Sequence, residues 1–146
     1  MMKFEVSIVI NRPVEEVFAF LSNVESNLTW RSSQIEAKKT SDGPIGVGTT
    51  YRMVNNVLGR RLEGESEVIE YEPNRKVTVK IKSGYFPFVA QRIFEPAEGG
   101  TRVRFVVEAE PGGVFKLAEP LLASMAKRRV EADAANLKDL MEARAL

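Results

Sequence analysis

The chain has 146 residues, of which 44% are hydrophobic and 28% are charged, and its formal net charge is +1. We expect one domain over residues 1–146. The near-neutral charge argues against nucleic acid as a partner. The sequence has neither cysteine nor histidine, which excludes disulfides, thiolate nucleophiles and the commonest general base and metal ligand. We therefore expect no metal and no other cofactor.

The N-terminal sequence has no basic segment followed by an apolar run, as a secretory signal would. No uncharged apolar stretch approaches the roughly 20 residues that span a bilayer. We therefore expect a cytoplasmic protein without stable membrane insertion. The sequence leaves the oligomeric state open.

The chain opens with a predicted strand and a predicted short helix. Apolar and polar residues alternate over residues 4–10, which is the period of a strand with one buried face. Asn11 is placed to cap a helix, and Pro13 suits a first helical turn. Apolar side chains then recur at helical spacing as far as Leu21. The stretch "VESNLTW", which ends at Trp30, allows a second short helix.

Strand patterns dominate from residue 47 to residue 110. Apolar and polar side chains alternate at residues 77–82 and 103–107, and turns rich in Gly, Pro and Asn separate the segments. Such turns join strands that pair as antiparallel neighbours. The predicted strands cover residues 49–54, 62–71, 77–82, 86–94 and 103–107.

Helical periodicity extends from about residue 114 to residue 143. Pro120 favours a kink or a fresh helix start, because proline cannot occupy a helix interior undisturbed. Opposite charges four residues apart, at 127 and 131, 129 and 133, and 138 and 142, are predicted on the outer faces. The predicted buried stripe consists of Leu122, Ala126, Val130, Ala134, Leu137 and Met141, flanked by Leu121, Met125 and Leu140.

This order of elements predicts an α+β fold. We expect a curved antiparallel sheet of six to seven strands gripping the long C-terminal helix, with two short helices after strand one. A single sheet must curve to surround one long helix, so the first short helix is expected to close an open end of the sheet.

Five sequence motifs follow one another along nearly the whole chain. They are "INRPVEEVFAFLSN", Trp30, "DGPIGVGTTY", "VIEYEPNRKV" and "EGGTRVRF". In this order they resemble the START-like, helix-grip superfamily (SRPBCC), which includes polyketide cyclase/dehydrase and lipid-transfer proteins. The resemblance implies an apolar ligand cavity between the sheet and the C-terminal helix.

Inward-facing aromatic and apolar residues are the main candidates for a ligand site. Ligand sites are mostly apolar with a few placed polar groups, although the same residues also suit a packed core. Small residues at Gly64 and Ser66 favour a hollow beside them. The candidate ligand-binding residues are Phe18, Trp30, Tyr51, Met53, Phe88, Arg92, Phe105, Met125 and Arg129. Phe20, Phe86 and Phe94 are expected on the same inward face.

Arg92 is the candidate with the most specific chemistry. In "AQRIF" it shares the period-two face of Ala90 and Phe94. A buried guanidinium needs a carboxylate or an anionic ligand as its partner. A bulge at Pro87 would turn Arg92 outward instead, and both placements remain open. The aromatic stretch at residues 83–88 is either a bulged strand that packs inward or an apolar rim at a pocket mouth.

Three functions remain open. The first is binding, transport or sensing of a small hydrophobic or amphipathic molecule, driven by about 0.8 kcal/mol per buried CH₂ group. The second is a polyketide cyclase/dehydratase-like enzyme, and the third is a protein-interaction module with a filled core. The sequence has no recognisable catalytic motif, so the catalytic residues stay unknown and the enzyme is less favoured. A cavity of a few hundred Å³ between helix and sheet would favour binding, and a solid core would favour the interaction module.

Overall fold

A curved antiparallel sheet and a long C-terminal helix form the framework of the protein. The computed structural model describes residues 2–57, 59–82, 87–110 and 117–143. In these residues the strands are β1 (Met2–Ile10), β2 (Gln34–Lys39), β3 (Thr50–Val57), β4 (Arg60–Glu72), β5 (Lys76–Lys82), β6 (Pro87–Ala97) and β7 (Gly100–Ala109). The helices are α1 (Val14–Leu21), a 3-10 helix (Val24–Thr29) and α2 (Glu119–Ala143). The predicted helix-grip α+β fold is confirmed.

The strand order explains where the short helices lie. The order is β1-β7-β6-β5-β4-β3-β2, so β1 and β2 are the two edges of the sheet. The chain passes from one edge to the other through α1 and the 3-10 helix. Because these two helices must bridge the full width of an open sheet, they cross its concave face.

The strand β2 was missed by the sequence prediction. It is a six-residue edge strand whose register with β3 is irregular between Gln34 and Glu36, and this irregularity breaks the alternation that would have revealed it. The other strands lie where they were predicted and differ by a few residues at their ends. Pro87 is the first residue of β6, a position that tolerates proline. Residues 83–86, which include Phe86 and most of the aromatic stretch, lie outside the described residues.

The start of α1 differs from the prediction. Its N-cap residue is Pro13, and no side chain caps the helix, so the predicted cap at Asn11 is wrong. The backbone N–H of Asn11 instead donates to Glu142 Oε2 of α2 at 2.9 Å. A Cβ atom on Gly100 would lie 2.1 Å from the carbonyl oxygen of Ile10. The end of β1 is thus held closely between the start of β7 and the end of α2.

The long helix α2 is buried over its C-terminal half. Leu137 and Met141 are completely buried where the helix packs on β1, as the predicted stripe requires. Leu121 and Met125, nearer the start of the helix, are 62% and 42% exposed. The helix begins one residue before Pro120, which confirms the predicted fresh start. No helix in the described part of the chain combines the length and the apolar character that crossing a membrane requires.

Candidate functional site

A small cavity lies on the concave face of the sheet, under the two short helices. Its volume is about 50 Å³, which is room for a few water molecules. One wall comes from α1, the 3-10 helix and the residues that follow it, and the other comes from β3 to β6. The lining residues are Leu21, Val24, Asn27, Arg31, Met53, Ser66, Val77, Val79, Ile81, Phe88, Ala90 and Arg92.

This cavity differs in size and place from the one that the sequence led us to expect. It is smaller than a few hundred Å³, and none of the described residues of α2 lines it. The helix α2 packs on β1, which is an edge strand separated from β6 by β7. The 3-10 helix packs on β2, and α1 packs on β6 and β7, because the chain has to cross from β1 to β2.

Arg92 points into this cavity, so no bulge at Pro87 turns it outward. Its Nη1 donates to the carbonyl oxygen of Leu21 at 2.7 Å, and its Nη2 donates to Asn27 Oδ1 at 2.9 Å. The Leu21 carbonyl lies at the C-terminal end of α1, where helix carbonyls lack partners and the helix dipole is negative. Arg92 therefore satisfies the end of α1 and joins it to the 3-10 helix.

The guanidinium of Arg92 lies among aromatic rings. Its central carbon is 5.3 Å from the ring centroid of Trp30 and 5.9 Å from that of Phe105, which is within cation–π range. Among the described residues, no carboxylate forms an ion pair with Arg92. Burial lowers the pKa of Arg92 to about 9, with a further lowering effect from the charge of Arg31. Arg92 thus has neutral partners for its hydrogen bonds but no counter-charge.

Arg31 is the second cation in the lining, and it has a charged partner. Its Nε lies 3.8 Å from Oδ2 of Asp133, a side chain that is 1% exposed. Burial lowers the pKa of Arg31, and the charge of Asp133 opposes that change. Oδ1 of Asp133 accepts hydrogen bonds from the N–H and Oγ of Ser32 at 3.2 and 3.0 Å. The network attaches the loop after the 3-10 helix to α2.

The predicted position of Asp133 on an outer face of the helix is therefore wrong. The prediction paired it with Arg129, four residues earlier. Arg129 Nη1 donates to Ser32 Oγ at 2.7 Å, and Ser32 itself donates to the carboxylate. The loop after the 3-10 helix covers this part of α2, and spacing along the helix contains no information about such a loop.

The nine candidate ligand-binding residues divide between the cavity, the core and the surface. Met53, Phe88 and Arg92 line the cavity. Trp30 and Phe105 are buried and lie against the guanidinium of Arg92. These five residues are therefore brought together around one site.

The remaining candidates lie elsewhere. Phe18 packs edge-on against Phe94, with ring centroids 5.1 Å apart, and belongs to the core. Tyr51 is completely buried, and burial raises the pKa of its phenol group. Met125 and Arg129 are exposed on α2, outside the lining of this cavity.

Three polar residues of the lining, Asn27, Arg31 and Ser66, were not among the candidate ligand contacts. Asn27 is 3% exposed within the six-residue 3-10 helix, and so short a segment has too few turns for periodicity to show an inward face. Ser66 was noted only as a small residue. Its Oγ is buried and has no hydrogen-bond partner among the described residues. A buried hydroxyl without a partner is uncommon and calls for an explanation.

These features define a class of protein: a helix-grip domain with an apolar cavity on the concave face of its sheet. The family described as polyketide cyclase / dehydrase and lipid transport matches residues 1–142. The chain belongs to this family. None of the curated proteins is a recognisable sequence relative of the chain. Family and fold together point to a polyketide cyclase/START-like ligand-binding domain.

Solved structures show the same fold at low sequence identity. A START superfamily protein from Mycobacterium smegmatis has a TM-score of 0.83 at 13% identity, covering 99% of this chain and 100% of that one. A protein from Thermus thermophilus has a TM-score of 0.83 at 18% identity, covering 99% of both chains. The di-domain ARO/CYC StfQ of the steffimycin biosynthetic pathway has a TM-score of 0.81 at 14% identity, covering 99% of this chain and 52% of that one.

Proposed function

We propose that this protein binds a small hydrophobic or amphipathic molecule on the concave face of its sheet. The observation that supports this is a cavity with aliphatic and aromatic walls into which the guanidinium of Arg92 points. Apolar walls stabilise a ligand by removing its surface from water, at about 0.8 kcal/mol per CH₂ group. Arg92 and the Ser66 hydroxyl are the polar groups that would orient it.

The cavity must widen to accept such a molecule, since ligand sites usually have about 300–1,000 Å³. The cover over the cavity is the part best suited to move. It consists of a helix of eight residues and a 3-10 helix of six, and helices of this length are only marginally stable alone. Moving them breaks few backbone hydrogen bonds, whereas separating the strands would break the ladders of the sheet. We propose that the ligand enters by displacing this cover.

A binding role is favoured over catalysis by the titratable groups of the lining. Arg31 and Arg92 are the titratable side chains among the described lining residues, and neither is suited to general acid–base work near neutral pH. A cyclase is the second candidate, because Arg92 is placed to stabilise an enolate oxygen electrostatically and the family includes cyclases by its description. Formation of a cyclised product from a poly-β-ketone would separate this candidate from simple binding.

The experiment that tests the proposal fills the cavity and measures binding of Nile red, a neutral apolar probe. Ala90→Leu places extra carbons in the lining. Val89→Leu adds a methylene group at the next residue of β6, on the opposite face of the sheet, and is the matched control. We expect the wild type and Val89→Leu to bind the probe and Ala90→Leu to lose at least about ten-fold in affinity. Equal affinities of Ala90→Leu and the wild type would contradict the proposal and favour the interaction module.

A further inference from the structure

The lining of the cavity has an excess of positive charge. Arg31 and Arg92 both belong to it. Asp133 lies 3.8 Å from Arg31 and accepts two hydrogen bonds from Ser32. No carboxylate among the described residues pairs with Arg92. The two lining arginines thus have one carboxylate between them, Asp133 beside Arg31, and the charge of Arg129 also acts on Arg31. The site therefore carries a net positive charge.

Arg92 still has hydrogen-bonding capacity for a ligand. A guanidinium has five N–H donors, and those of Arg92 make one bond to Leu21 and one to Asn27. These two acceptors are neutral, so they fix the plane of the group without cancelling its charge. The rings of Trp30 and Phe105 lie against it, and the residue as a whole is half-buried. A half-buried charge beside aromatic rings is stabilised by an anion that fits the guanidinium fork.

The apolar part of the lining extends from Arg92 in one direction. Ala90 and Phe88 follow on the same face of β6, and β5 adds the residues that pair with them. On the other side of Arg92, Phe94 packs against Phe18 and closes the space. The four residue-to-residue steps along the strand from Arg92 to Phe88 span roughly 13 Å. This direction offers apolar contacts over about this length to a ligand whose charged end meets Arg92.

We infer that the ligand is a monoanionic amphipathic acid, with its carboxylate against Arg92 and its apolar body along β5 and β6 toward Phe88. The inference rests on the proposed function, since it names the class of molecule for the same cavity. One negative charge matches Arg92, the lining cation without a carboxylate partner among the described residues, whereas the second charge of a phosphate monoester would have no such cation to meet. The two oxygens of a carboxylate also match the geometry of a guanidinium.

The test is calorimetric titration with three probes that share one apolar chain: decanoate, 1-decanol and decyl phosphate. The proteins are the wild type, Arg92→Met, Arg92→Lys and the control Arg52→Met, in which an exposed arginine paired with Glu63 is removed. We expect the wild type and Arg52→Met to bind decanoate at least about ten-fold more tightly than 1-decanol. Arg92→Met should bind both about equally, with its affinity for 1-decanol unchanged, and Arg92→Lys should retain a preference for the acid.

The contrary outcomes separate the inference from the proposed function. Equal binding of decanoate and 1-decanol by the wild type would overturn the inference and leave cavity binding intact. Tighter binding of decyl phosphate than of decanoate would contradict the inference that the ligand is a monoanion. Failure of the wild type to bind decanoate, 1-decanol and Nile red would overturn both the inference and the proposed function. If Arg92→Met does not fold by circular dichroism, the wild-type preference and Arg92→Lys decide the result.

Discussion

Two regions of the concave face are built differently. Where α2 lies on β1, Leu137 and Met141 are completely buried. Asp133, a buried carboxylate of the same helix, accepts a hydrogen bond from Ser32 and lies 3.8 Å from Arg31. Between the short helices and β3 to β6 a cavity remains, and Arg92, one of the two arginines in its lining, has no counter-charge among the described residues. Asp133, whose counter-charge belongs to the chain, stabilises the fold. Arg92, whose hydrogen-bond partners are neutral, has a charge that is available to a ligand.

The length of the covering helix explains this difference. The helix α2 has 25 residues and can place an apolar stripe continuously along the sheet. The cover of the cavity has eight residues in α1 and six in the 3-10 helix. These helices end before they supply enough apolar side chains to fill the space above four strands. The filled region therefore has its packing specified along one helix, while the cavity depends on how two short helices are held.

The largest effect is expected from a deletion in the filled region. Leu137→Ala should lower the free energy of unfolding by about 2–5 kcal/mol, because it removes a fully buried side chain and leaves a void. Urea unfolding measures the change. Leu121→Ala on the same helix is the control, and since Leu121 is 62% exposed the loss should be under about 0.5 kcal/mol. A loss below about 1 kcal/mol for Leu137→Ala would mean that the region is not filled.

The next effect concerns the paired charge. Asp133→Ala should destabilise the protein by about 2–3 kcal/mol, because it leaves the Ser32 donors and Arg31 without their partner. Asp139→Ala removes an exposed carboxylate of the same helix and should change stability little. Thermal or urea unfolding of both variants makes the comparison. Equal losses would show that the Asp133 network contributes nothing specific.

A smaller effect on stability is expected from overpacking, which should destabilise the two regions to different extents. Ala134→Leu adds carbons to the filled region, where Ala134 is 2% exposed, and should cost about 1–3 kcal/mol. Ala90→Leu adds the same carbons next to the cavity and should change the free energy of unfolding by less than about 1 kcal/mol. Urea unfolding of the two variants gives the difference. A cost for Ala90→Leu as large as that for Ala134→Leu would contradict the contrast between the regions.

The smallest effect is expected from the uncompensated charge. Arg92→Met should change stability by less than about 1 kcal/mol at pH 7, because removing a desolvated charge offsets the loss of two hydrogen bonds. The pKa of Arg92 is lowered to about 9, so the folded state binds its proton less tightly than the unfolded chain does. The penalty for the charge is complete below pH 9 and is lost as the pH rises above it.

The lowered pKa of Arg92 predicts that the stability difference between the wild type and Arg92→Met depends on pH. The unfolding free energy of the wild type, relative to that of Arg92→Met, should increase as the pH rises from about 8 to 10, since only the wild type recovers the penalty. Urea unfolding of the pair at several pH values measures this difference, and groups common to both proteins cancel. A difference that stays constant with pH would show that Arg92 is not desolvated in the folded state.

Local periodicity was enough to predict much of this protein. Alternation placed Arg92 on the face of Phe94, and helical spacing placed Leu137 in the buried stripe. The order of five motifs indicated the superfamily, and the fold followed from it. These features can be predicted from the sequence because each depends on neighbours within one strand, one helix or one turn. There the backbone itself sets the spacing of the side chains.

The place of the cavity and the partners of its charges were decided by the tertiary structure. Arg92 meets Leu21, which is 71 residues away in the chain, and Ser32 meets Asp133 at a separation of 101. Both contacts arise because the short helices and the loop after them cross the sheet from β1 to β2. Periodicity shows which side of an element faces inward, but what lies opposite depends on the path of the whole chain.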